Sequence, residues 1–155
     1  MADILQHCSD LALVRFDAGD VMIIEGEPEP GFYVLLEGTV AIRKGEHEVA
    51  RIGHPGAVFG EISALLGTPA SAQVVARTAV RARYIADGLG YLSANPLVAL
   101  HTARNLAMRL SKATGSLSDL RAQFPDKADH FGFVDTVLDT LMQQPTVGGM
   151  SRRDG

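Results

Sequence analysis

The chain has 155 residues, 46% hydrophobic and 21% charged, which fits one globular domain with an ordinary core and a helical appendage. Its net charge of −4 argues against a nucleic-acid surface, which needs a concentrated basic face. A lone cysteine, Cys8, excludes an internal disulfide and a thiolate-only metal site. Apolar runs such as Val21–Ile24 and Val34–Leu36 are too short to span a bilayer, and the start of the chain carries Asp3 and no basic stretch leading into an apolar one. The expectation is a cytoplasmic protein without a membrane span.

From Leu11 to Ile85 the chain reads as short strands separated by glycine-containing turns. The expected strands are Leu13–Phe16, Val21–Glu25, Phe32–Glu37, Thr39–Lys44, Glu48–Ile52, Ala72–Arg77 and Val80–Ile85. Strands this short and evenly spaced predict an all-β sandwich or barrel. Val40 and Ile42 alternate with Ala41 and Arg43, and Val80, Ala82 and Tyr84 with Arg81 and Arg83. One face is expected to be buried and the other wet.

After the fifth expected strand and running into the sixth comes VFGEISALLGTPASAQVVA, residues 58–76. A Phe59-Gly60-Glu61 turn leads into a short helical run, Ile62–Leu66, then a small-residue loop from Gly67 to Ser71. A helix N-terminus exposes unpaired backbone N–H groups, and a glycine there lets an anion approach the backbone. The segment is therefore built like a phosphate cradle. Glu61 offers a carboxylate to a donor, and Ser63 and Ser71 offer hydroxyls.

After Gly90 the hydrophobic period changes. Asn95-Pro96 starts a long helix with proline at its first position. Leu106, Leu110, Ala113, Leu117, Leu120 and Phe124 recur at alternating four- and three-residue steps, with Leu100, Ala103 and Ala107 on an adjoining seam. Such a stripe on a helix leaving a small barrel predicts a homodimer; packing back on the barrel is the alternative. Arg104, Arg109, Lys112 and Arg121 read as the solvated side of that helix. Asp126 or Asp129 then caps a shorter amphipathic helix with Phe131, Val134, Leu138 and Leu141 on one side, stopped by Pro145. The expected organisation is a β-roll with an N-terminal helix over 1–90, the long helix over 91–124, the short helix over 125–144 and a disordered tail over 145–155.

The turns and strands together resemble the cyclic nucleotide-binding domain family, in its catabolite activator protein-like form. The residues that carry the resemblance are Phe16-x-x-Gly19, Glu25-Gly26-Glu27, Phe32-Tyr33-Val34-Leu35, Gly38-x-Val40, Gly53, Gly56 and the segment Phe59-Gly60-Glu61 through Ser71-Ala72. The resemblance covers Leu11 to Phe124. It implies a mainly β jelly-roll barrel followed by a long dimerisation helix. It also implies a regulatory or sensor module that binds cyclic AMP or cyclic GMP. On that resemblance the ligand-binding residues are Phe59, Gly60, Glu61, Ile62, Ser63, Ala70, Ser71, Ala72 and, on the long helix, Thr114. Glu61 takes the ribose 2′-hydroxyl, the backbone around Gly60 and Ile62 faces ribose and phosphate, Ser71 meets a phosphate oxygen, and Thr114 touches the purine.

One position departs from the pattern. Ala70 stands where the family usually has an arginine, the residue suited to neutralising a phosphate with charge-assisted hydrogen bonds. Losing one partner of a buried charge pair costs about 2–5 kcal/mol, a factor of roughly 30 to several thousand in affinity. Arg77 is expected on the surface, and alternation turns Arg81 and Arg83 outward. The alternative is therefore a protein interaction and dimerisation module with a degenerate pocket and an unknown partner.

Other chemistry finds no support. His7, His47, His54, His101 and His130 lack ligand spacing, so no metal or cofactor is expected beyond the nucleotide. The acidic run from Glu25 to Glu29 lacks calcium-loop spacing. No serine sits in a nucleophile elbow, so no catalytic residue is assigned. The residues after Phe124 suffice for one helix and not for a winged helix-turn-helix, so DNA binding by this chain alone is not expected.

Overall fold

The computed structural model describes residues 3–123 and 132–142. In chain order the elements are α1 (Asp3–His7), β1 (Ala12–Phe16), β2 (Val21–Ile23), β3 (Phe32–Glu37), β4 (Val40–Lys44), β5 (His47–Ile52), β6 (Val58–Phe59), α2 (Glu61–Leu66), β7 (Gln73–Ala76), β8 (Val80–Ile85), α3 (Gly88–Ala94), α4 (Pro96–Gln123) and α5 (Gly132–Met142). The chain divides into two compact units, Met1–Asn105 and Leu106–Gly155.

The first unit is a jelly roll of two four-stranded sheets, ordered β1-β8-β3-β6 and β2-β7-β4-β5. Every strand pair is antiparallel. Between the sheets lies an interior cluster that includes Tyr33, Leu35, Val80 and Ala82 from the first sheet and Ile23, Val40, Val74 and Ala76 from the second. A second cluster covers part of the first sheet's other face. There Phe32, Val34, Val58 and Ile85 meet Ile4 and Cys8, Ala64 of α2, Leu92 of α3 and Val98 of α4. Fully burying side chains of this size contributes about 1.5–3 kcal/mol each. Gly38 turns β3 into β4 at φ +98°, where a Cβ would collide with the backbone of Ala79 and Val80.

All seven expected strands form, Phe32–Glu37 and Val80–Ile85 with the expected ends and the other five with shifted ones. β2 stops at Ile23 because Ile24 already belongs to the next turn, its carbonyl accepting from Glu27 N at 3.2 Å. Two elements were not legible in the sequence. β6 is a two-residue bridge, Tyr33 opposite Phe59 and Val34 opposite Val58, too short to display a period. α3 begins at Gly88 with Gly90 in its first turn, residues of low helix propensity. Its start is instead fixed by Asp87, whose carboxylate accepts from Gly90 N at 3.0 Å.

Strict alternation fails on the second sheet. Ala41 and Val75 are buried although they lie opposite the face that carries Val40 and Val74. Ala41 sits in register between Arg51 and Val75, and so small a side chain is covered by its larger neighbours.

α4 roots on the barrel through Val98 and Thr102, both almost fully buried. His101 Nε2–H donates to the carbonyl of Gly56 at 2.8 Å. The sequence stripe missed this docking face; Leu100, Ala103 and Ala107 of the expected adjoining seam are exposed. Arg104, Arg109, Lys112 and Arg121 are exposed as expected. In the second unit α5 forms where a short amphipathic helix was expected, with Leu138 and Leu141 half-buried and Val137 and Met142 exposed. Phe124, Asp126, Asp129, Phe131, Pro145 and the expected tail lie outside the described residues. Among the described residues no helix is long and apolar enough to cross a membrane.

Candidate functional site

The cradle expected at residues 59–72 is assembled by β6, α2 and the loop that follows. Phe59 ends β6 deep in the interior cluster. Gly60 then turns the chain at φ 88°, ψ −4° directly before α2. Any other residue would be strained there, and its Cβ would stand 3.0 Å from Ile23 Cδ1 and 3.4 Å from Gly31 O. The sharp turn places Glu61 in the first helical turn, where its side chain is only 2% exposed. A carboxylate at a helix N-terminus is favoured by the local dipole. Ile62 is half-buried and Ser63 is buried. Gly67 closes the helix in the left-handed region, its N–H donating to Ser63 O at 2.9 Å.

The loop is then stapled to the β2–β3 turn. Ala70 N donates to Glu27 O at 2.9 Å, and Ala70 O accepts from Gly26 N at 2.8 Å. This pair of backbone hydrogen bonds joins the Glu25-Gly26-Glu27 turn to the small-residue loop. The Ala70 side chain is buried in the interior cluster with Met22, Ile23, Tyr33, Phe59 and Val74. Ser71 is exposed and Ala72 half-buried. Phe59 through Ala72 thus gather around one short helix. Thr114 belongs to the other unit, where its hydroxyl donates to Leu110 O at 2.9 Å.

The arginines that follow the cradle are engaged elsewhere. Arg77 Nη2 lies 3.1 Å from Glu48 Oε2, and Glu48 also binds Arg51. The hydrogen bond from Arg51 holds the Glu48 carboxyl below its ordinary range, with Arg77 adding to the effect. Arg81 pairs with Glu37 at 3.2 Å. Arg83 shares the outward parity expected for it but is half-buried, with Nη1 donating to Leu11 O at 3.0 Å.

Sequence reasoning missed an aromatic floor beside the cradle. Tyr33 stacks on Phe59, centroids 5.2 Å apart and planes 11° apart, and meets Tyr84 at 4.8 Å and Phe16 edge-on at 6.0 Å. Glu29 accepts from both Tyr84 OH and Gly31 N at 3.0 Å, tying the β2–β3 turn to β8. Burial pushes the Tyr33 phenol up to about 12, with Glu29 and Tyr84 adding to the shift. Tyr84 rises for the same first reason and because of its bond to Glu29. Period-2 alternation placed Tyr84 on one face with Val80 and Ala82, but nothing in the sequence indicated that it would meet Tyr33 or that Tyr33 would stack on Phe59.

Residues 13–87 match the family model of the cyclic nucleotide-binding domain. Among curated proteins, the cAMP-dependent protein kinase type I-alpha regulatory subunit of Mesocricetus auratus is 38% identical over 73 residues, which covers 43% of each chain. The chain therefore spans less than half the length of that relative. The catabolite activator protein of Thermus thermophilus has a similar structure, with a TM-score of 0.64 at 26% identity over 77% of this chain and 60% of the other. The N-terminal domain of a transcriptional regulator from Streptomyces coelicolor A3(2) gives a TM-score of 0.52 at 28% identity, over 70% of this chain and 81% of the other.

Proposed function

We propose that this chain, whose residues 13–87 match the family model of the cyclic nucleotide-binding domain, is a regulatory module that seats cyclic AMP or cyclic GMP weakly in the Phe59–Ala72 cradle. The observation that carries this reading is the left-handed Gly60, which sets Glu61 and the first turn of α2 in one compact corner. Glu61 accepts the ribose 2′-hydroxyl, the α2 backbone faces the phosphate, and Ser71 donates to a phosphate oxygen. α4 pairs with a second copy and carries the change in occupancy to a partner protein. The module acts in the cytoplasm and is regulatory rather than catalytic.

Affinity is set by what Ala70 lacks. An otherwise micromolar ligand, deprived of a charge partner at a cost of about 2–5 kcal/mol, binds between roughly 30 µM and several millimolar. Isothermal titration with each nucleotide tests this: saturable heats in that window support the proposal, and silence up to about 10 mM removes it. The burial of the Ala70 side chain in an apolar cluster favours a second reading, an interaction module with an empty pocket that works through α4 and α5. Silent titrations together with a stable dimer would select it.

A further inference from the structure

Val14 and Phe16 of β1 and Val80 and Ala82 of β8 pack into the interior cluster. Leu13, Arg15, Arg81 and Arg83, of alternate parity, therefore share the opposite face of the first sheet. The register sets Arg15 directly across from Arg81 and Leu13 across from Arg83. Glu37 answers one of these charges, and that pair stands largely in solvent, 48% and 67% exposed. Arg15 is exposed and has no ion pair among the described residues. Arg83 donates through Nη1 to a backbone carbonyl while its buried Nε has no partner.

Like charges directly opposite on a sheet face are destabilising. Arg83 is held half-buried against the Leu11 carbonyl, but the exposed Arg15 and Arg81, with the single solvent-exposed carboxylate of Glu37, are not explained by the packing beneath them on a chain of net charge −4. An anionic occupant would complement them. Directly paired strand residues stand about 4.5–5.5 Å apart and alternate residues on one strand about 6.6–6.8 Å apart. That spacing matches carboxylates on alternate residues of an extended segment. Leu13, 38% exposed, adds an apolar contact among the charges. Nucleic acid and anionic bilayers call for a more extensive basic surface, which the acidic balance of the chain disfavours. We propose that the outer face of β1 and β8, centred on Arg15, Arg81 and Arg83, docks an extended acidic segment of a partner protein.

The test titrates the full chain into a fluorescein-labelled peptide of alternating glutamate and threonine, with its glutamine counterpart as control, at low salt. The glutamate peptide is expected to bind saturably and the glutamine peptide not. Added salt should weaken the binding, and the double variant Arg15→Ala, Arg81→Ala should weaken it about tenfold or more. Arg51→Ala, on the other sheet, should leave it unchanged. Thermal unfolding guards against a trivial loss of fold: removing Arg15 relieves a like-charge contact, so Arg15→Ala should melt no lower than the parent. The proposal is overturned if the glutamine peptide binds equally well or if the double variant binds as the parent does. Tighter binding to duplex DNA or to phosphatidylserine vesicles than to the peptide would also overturn it.

Discussion

Replacing Ala70 by arginine tests whether the cradle lacks only its counter-charge. The backbone at 70 is held from both sides by Gly26 and Glu27, so the new side chain must start from a Cβ inside the apolar cluster of Met22, Ile23, Tyr33 and Phe59. Without a ligand, a guanidinium in that setting is desolvated and unpaired, a change in the range of about 2–4 kcal/mol destabilising. For a chain of this length that lowers the melting temperature by about 4–16 °C. With cyclic AMP present, the same guanidinium meets the phosphate, and affinity should rise by about 2–5 kcal/mol, or 30-fold to several thousand-fold. The variant is thus expected to melt lower alone and to gain more from the nucleotide than the parent gains, the shift growing with ligand concentration. Calorimetry gives the affinities and scanning fluorimetry the melting shifts. Ala70→Met controls for bulk without charge and should gain no affinity; Ala70→Lys should gain less than arginine because it lacks the planar fork. A folded Ala70→Arg protein with unchanged affinity would refute the reasoning, since charge would then not be what the cradle is missing.

Three further outcomes follow from other parts of the molecule. Light scattering should give a dimer mass for the parent and a monomer mass for Leu110→Glu, Ala113→Glu, both positions being exposed in the single chain; a monomeric parent would end the α4 dimer. Gly115→Ala should stabilise α4 by about 1 kcal/mol, because a Cβ there meets open space; a lower melting temperature would contradict this. The third concerns alkaline pH. Tyr33 and Tyr91 are both raised from 10.0 to about 12, chiefly by burial. Below pH 10 the unfolded chain keeps these protons too and the stabilisation is whole. Between about pH 10 and 12 the unfolded state releases them first, so stability should fall over that interval. Absorbance of the phenolates against pH should show all three tyrosines titrating late in the folded protein, and Tyr33→Phe should flatten part of the decline.

The β-roll was legible because its breakers are glycines at turns and its strands alternate, as Val80, Ala82 and Tyr84 do against Arg81. The cradle was legible because its turn is local: Gly60, Glu61 and the loop to Ser71 lie within a dozen residues, and each residue's place follows from its neighbours in sequence. The rest depends on contacts between distant residues. Tyr33 reaches Phe59 and Tyr84 only through strand pairing. The staple from Ala70 to Gly26 and Glu27 joins positions more than forty apart, and only the two composition-biased loops hinted at it. Val98 and Thr102 dock α4 on the barrel, yet a valine and a threonine on a helix with a louder leucine stripe give no sign of which side is inward. The burial of Ala41 is likewise a matter of neighbours' size, to which binary patterning is blind.

Cys8 sits fully covered where α1 meets the outer cluster, and burial pushes its thiol up despite the opposing bond from Tyr91. At neutral pH it is therefore both inaccessible and short of thiolate, the form that reacts. An alkylating reagent can reach it only when the N-terminal layer lifts from the barrel. With no second thiol in the chain, the rate of its modification is a built-in clock for that opening, readable by mass alone.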